Sequence, residues 1–145
     1  MKKPFLYRHF GIGKMPEPWA SRAKMEGIEL QDEALRGSLT YKNFHRPGAY
    51  SNWRKVGIFS ASLALTHSSF FVLNGNKPII DVPLGDKRLL QVIFSVAGSL
   101  PPTLVIAFSA DLFQPTWSGE LEYRIKTDLA KSIVDLISTR GPLGL

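Results

Sequence analysis

The sequence predicts a mainly β domain: a bent, seven-stranded antiparallel barrel closed by a single C-terminal helix. Three observations predict it. Apolar residues recur at every second position through seven stretches between Gly37 and Lys126. Turn-forming residues, such as Pro47-Gly48, Asn74-Gly75 and Gly98 to Pro102, separate those stretches at short intervals. Helical periodicity takes over only after Thr127.

In chain order, residues 1–15 read as a basic and aromatic arm. From Pro16 to Leu35, Trp19, Ala20, Ala23 and Met25 stand at helical spacing before a break at Gly27, which predicts a short helix. The domain is expected to divide into a basic extension over 1–36, the barrel with its helix over 37–141, and a tail over 142–145. Leu39 and Tyr41 alternate with Ser38, Thr40 and Lys42, giving a first strand over about 38–46 that stops at Pro47-Gly48. A loop over 47–52 follows. Phe59, Ala61, Leu63 and Leu65 then alternate with Ser60, Ser62, Ala64 and Thr66, predicting one inward face and one half-solvated face.

His67-Ser68 turns the chain into a third strand over 70–73, and Asn74-Gly75 suits a hairpin turn. Ile79, Ile80, Val82 and Leu84 mark the fourth strand, Leu90, Val92, Phe94 and Val96 the fifth, and Leu104, Ile106 and Phe108 the sixth. A loop over 110–118 carries Asp111, Pro115 and Trp117. In the seventh, Leu121, Tyr123 and Ile125 point inward, with Glu120, Glu122, Arg124 and Lys126 outward. Thr127 is the expected N-cap, and Asp128 suits the positive end of the helix dipole. Leu129, Ile133, Leu136 and Ile137 form the apolar stripe, and Arg140, Gly141 and Pro142 end the helix.

A chain of 145 residues has the size of one domain and buries roughly two-thirds of its unfolded surface. It holds no cysteine, which excludes disulfides, thiolate zinc sites and thiol nucleophiles. Two long uncharged runs, Val56 to Asn76 and Leu89 to Ala110, are broken by Gly, Asn and Pro and read as strand pairs, so no transmembrane span is expected. Arg8, His9 and Lys14 follow the basic start where a signal peptide would be apolar, so the expected location is cytoplasmic. The net charge of +6 is uneven: residues 1–60 hold eleven Lys/Arg against five Asp/Glu, and residues 61–145 hold seven of each. The excess can face phosphate, a membrane surface or an acidic partner, or serve as a solubilising surface.

Gly37-Ser38-Leu39, followed after a loop by Trp53-Arg54-Lys55-Val56-Gly57-Ile58-Phe59, resembles the opening hairpin of the pleckstrin-homology (PH)-like superfamily, where a Gly-x-Leu strand precedes a Trp-Lys-x-Arg-x-Phe strand. Ile79-Ile80-Asp81-Val82-Pro83-Leu84 is similar to the I-x-x-I-P-L strand of the related GRAM-type modules. The resemblance covers about residues 37–140. It implies two near-orthogonal sheets capped by a C-terminal helix. Family members that bind phosphoinositides share a basic set over the first two strands; here the first-strand lysine position is Tyr41, with Lys42 one place along, and the second-strand arginine falls at Val56.

Catalysis is not expected. His9, His45 and His67 lack metal-ligand spacing, Gly11-x-Gly13 lacks a preceding strand, and Asp81, Asp86 and Asp111 stand at strand ends. No cofactor or metal is expected. The segment from Tyr41 to Lys55 instead combines cations with aromatics around a loop, and Lys42, Arg46, Trp53, Arg54 and Lys55 are the candidate ligand-binding residues. Equally, its aromatics can pack in the barrel while its cations are merely solvated. The expected function is a non-catalytic binding module for a protein segment or an anionic, phosphate-bearing headgroup, with peripheral membrane contact in the latter case and no nucleic-acid partner. The alternatives are an oligomer subunit pairing through a sheet edge or the N-terminal arm, and a small-molecule carrier barrel. Large inward side chains such as Phe59, Phe94, Phe108 and Tyr123 weigh against the carrier.

Overall fold

Alternation fixes which side chains share a face, and cross-strand register then fixes which of them meet. The computed structural model describes residues 3–4, 8–9, 11, 13–46, 49–51 and 55–142. Their order is α1 (Trp19–Glu26), β1 (Ile28–Arg46), β2 (Ala49–Ser51), β3 (Lys55–Thr66), β4 (Ser69–Asn74), β5 (Lys77–Pro83), β6 (Ile93–Ala97), β7 (Thr103–Ser109), β8 (Ser118–Lys126) and α2 (Ala130–Arg140). Seven antiparallel strands lie in the order β5-β4-β3-β1-β8-β7-β6, a curled half-barrel, and short β2 pairs with the end of β1. The mainly β architecture with a C-terminal helix is therefore as the alternation predicts.

The concave face buries Leu35, Leu63, Leu65, Phe70, Ile80, Leu104, Ile106 and Ile125, and α2 lays Ala130, Ile133 and Ile137 onto them. The Gly-x-Leu start of the opening hairpin has a packing reason. Gly37 pairs with Phe59, and a Cβ at 37 would stand 2.7 Å from the Phe59 ring. That ring meets Tyr123 edge-on, with centroids 6.1 Å apart, so glycine at 37 makes room for an aromatic pair inside the half-barrel.

The strand expected over 38–46 is the second half of a longer one. β1 starts at Ile28, so the expected boundary after residue 36 falls inside it. Register shifts between Ile28 and Leu30 and between Asp32 and Leu35 break the two-residue period there, and Ala34 takes φ 56°. The short helix forms, and it is built into the fold. Ala23 is buried with Met15, Ala64, Phe71 and Leu73, and Trp19 and Ala20 pack against them, while Met25 points to solvent.

This cover changes the second strand. Ser62, Ala64 and Thr66 in β3, expected on a half-solvated face, are buried. Ala64 lies beneath α1, and Thr66 Oγ1 donates to Glu26 at 2.8 Å. The fifth strand is also shorter than its alternation suggests. Asp86 accepts from the Arg88 N–H at 2.8 Å and starts a short 3-10 turn over Lys87–Gln91, which takes Leu90 out of β6.

At the last helix the N-cap is Leu129, and Thr127, expected there, stands two residues earlier. Its Oγ1 accepts from the Leu129 N–H at 3.1 Å and donates to the Asp32 carboxylate at 2.9 Å, and the helix begins at Ala130. Gly141 ends the helix as expected, in extended backbone with φ −74°, its N–H donating to the Ile137 carbonyl at 2.8 Å. The two uncharged runs are the β3-β4 and β6-β7 hairpins. No helix among the described residues is long and apolar enough to cross a membrane.

Candidate functional site

The basic hairpin end lies where β1, β2 and β8 meet. Of its five candidate residues, Trp53 and Arg54 lie outside the described residues, and Arg46 and Lys55 are placed by their backbone alone. Arg46 pairs with Ala49, and Lys55 pairs with Tyr41. Lys42 is exposed and pairs with Glu120 across the β1-β8 ladder. It lines a groove of about 550 Å³ on the outer sheet face together with Thr40, Ile93, Ser109, Glu120 and Glu122. Two carboxylates thus border the one cation whose side chain is described here, and opposite charges on facing strands attract across the ladder. Tyr41 joins the core, and a string of rings carries the packing outward. Phe44 lies 5.2 Å from Tyr41 and 5.3 Å from Trp117 by centroid, which anchors the 110–118 loop to the hairpin.

A second surface lies at the far end of the sheet, and its signal in the sequence is the absence of charge from Leu89 to Ala110. β6 is an edge strand, with β7 on one side and no strand partner on the other among the described residues. Leu90 is 49% exposed, Ile93 69%, Val96 39% and Leu100 97%; no other stretch of the described chain gathers so many exposed large apolar side chains. Beside this edge runs a groove of about 360 Å³, walled by Leu90, Val92 and Phe94 on one side and by Val134 and Ile137 of α2 on the other.

Both walls are fixed by charge. The Arg88 guanidinium forks onto Asp86, with contacts of 2.6 and 3.0 Å, and lies 5.0 Å from the centre of the Phe113 ring. Hydrogen bonds from the Arg88 side chain and backbone hold the Asp86 carboxyl below its ordinary range. The end of α2 is pinned by Arg140, which bonds Glu29 at 2.5 Å, and Glu29 also faces His67 Nδ1 at 2.8 Å. The bond from Arg140 is the main reason the Glu29 carboxyl sits below its usual range.

The opposite edge is built differently. β5 carries Pro78 and Pro83, neither of which offers an N–H, together with Lys77. Its Asp81 is gripped by Arg22 of α1 at 2.8 Å. Among the described residues no three His, Asp or Glu side chains are grouped to hold a metal ion. What β6 and its groove can do chemically is hydrogen-bond an extended backbone and bury alternate apolar side chains beside it. No family model, curated protein or solved structure matches this chain.

Proposed function

We propose that this chain is a non-catalytic interaction module that receives an extended protein segment along β6. One observation carries this reading: a strand edge with no partner among the described residues runs beside an apolar groove walled by α2. A segment added there gains backbone hydrogen bonds from the edge and specificity from every second side chain, which the groove takes up. The carboxylates of Glu120 and Glu122 around Lys42 favour a protein partner over an anionic headgroup, because they would repel phosphate.

Selection from a library of displayed short random peptides tests the proposal, followed by mapping of the bound peptide through backbone amide shifts. The expected peptides carry apolar residues at alternate positions, shift the amides of Ile93 to Ala97, and lose binding on Ile93→Lys. Peptides that shift the Lys42 hairpin instead, or a selection on the monomeric chain that enriches none, would overturn it. Co-sedimentation with vesicles of anionic but not neutral lipid that is lost at high salt would favour the headgroup reading.

A further inference from the structure

Building on the strand-accepting reading of β6, we infer that the segment it fits is the β6 strand of a second copy of this chain, giving a twofold dimer with one sheet continuous across both molecules. Edge strands are ordinarily blunted by charge, proline or a covering element. β5 shows such protection through Pro78, Pro83 and the Arg22 grip on Asp81. β6, Ile93-Phe94-Ser95-Val96-Ala97, has no charge and no proline.

The β6 strand complements itself. In antiparallel pairing centred on Ser95, Ile93 faces Ala97 of the second copy, and Phe94 faces Val96 of the second copy. Each larger side chain meets a smaller one on both faces of the new sheet, the arrangement that lets cross-strand neighbours interdigitate. Within one molecule Ile93 and Ala97 already share their face with Ala107 and Thr103, and Phe94 and Val96 share theirs with Ile106 and Leu104. The added strand therefore continues two existing faces without a change of pattern.

Charge favours this partner too. Residues 86–145 hold six Lys/Arg and six Asp/Glu, while the excess of the +6 chain lies in residues 1–60. Two copies meeting at β6 bring together their neutral portions, so self-repulsion opposes the encounter least there. Pairing of β6 with β5 of another copy is disfavoured by the β5 prolines, which leaves the isologous arrangement.

Sedimentation velocity of the full chain over a concentration series tests the inference, with Val96→Lys and Ile93→Lys as edge variants and Ile58→Lys as control, since Ile58 is exposed on β3 away from the edge. Far-ultraviolet dichroism checks that each variant is folded. The wild-type chain is expected to form a dimer, each edge variant to weaken it by about tenfold or more by placing two ammonium groups in the seam, and Ile58→Lys to leave it intact. A dimer that both edge variants leave unchanged would overturn the inference, since association then lies elsewhere. A monomer at every concentration that still captures displayed peptides at β6 would sink the second-copy partner and spare the strand-accepting reading; a monomer that captures none would sink both.

Discussion

A Cβ on Gly119 would stand 2.5 Å from the Asn43 carbonyl oxygen and 2.8 Å from that of Lys42. β1 and β8 touch here at a register irregularity between Lys42 and His45, where Gly119 takes φ 101° and Asn43 φ 52°. The basic hairpin is aimed by this contact, because the bulge decides which face each residue beyond Lys42 takes.

Gly119→Ala is therefore expected to destabilise the chain by about 3 kcal/mol, from a disfavoured backbone conformation combined with overlap against a carbonyl that cannot yield. Asn43→Gly is expected to be tolerated, since glycine adopts the same backbone freely, whereas Asn43→Val should cost about 1–2 kcal/mol. Urea unfolding midpoints with unchanged slope would check both.

Acid should loosen the α1 attachment. Burial tends to raise the Glu26 carboxyl, but hydrogen bonds from Arg22, Ser69 and Thr66 outweigh it and hold the group at about 2, against an ordinary 4.5. A depressed carboxyl contributes stability that is full above the unfolded value and lost as pH falls through the folded one. The wild-type chain is expected to lose about 2 kcal/mol from this site between roughly pH 5 and pH 2. Glu26→Gln should be less stable at pH 7 and show a flatter acid limb in thermal unfolding.

Alkali acts through Tyr123. Desolvation raises its phenol to about 12 from 10. Its contribution is present below the unfolded value and disappears as pH rises through the folded one. Spectrophotometric titration should show one phenol ionising only near pH 12, and Tyr123→Phe should remove that step and soften the alkaline loss of stability.

The covering helix should be indispensable. Ala23 is fully buried against Ala64 and Phe71, so Ala23→Glu is expected to cost about 3 kcal/mol by burying a charge without a partner. Met25→Lys, on the exposed side of the same helix, should stay within about 0.5 kcal/mol. Thermal unfolding of the two variants side by side measures the contrast.

How far the sequence revealed the fold depended on whether period two survived locally. β8 is legible because no bulge interrupts Leu121, Tyr123 and Ile125. The first part of β1 is not, because its two register shifts put Leu30 and Leu35 out of phase. The burial of Ala64 was invisible for another reason: small residues suit a solvated face and a face pressed under a helix alike, and only α1 decides between them. Likewise the cation-rich hairpin stands out in a string of letters, whereas the open side of β6 is a property of strand order, which follows from pairings distant in sequence. The uncharged run from Leu89 to Ala110 was the available clue, and it served first to distinguish a hairpin from a membrane span.

The unlike margins of the sheet set a limit on growth. Fibrous polymerisation by strand addition needs two receptive margins per molecule, so that every newcomer offers a fresh end. Here the proline-bearing margin at β5 offers none. A strand added at β6 would therefore leave, on the far side of the sheet, a margin whose prolines disfavour any further addition.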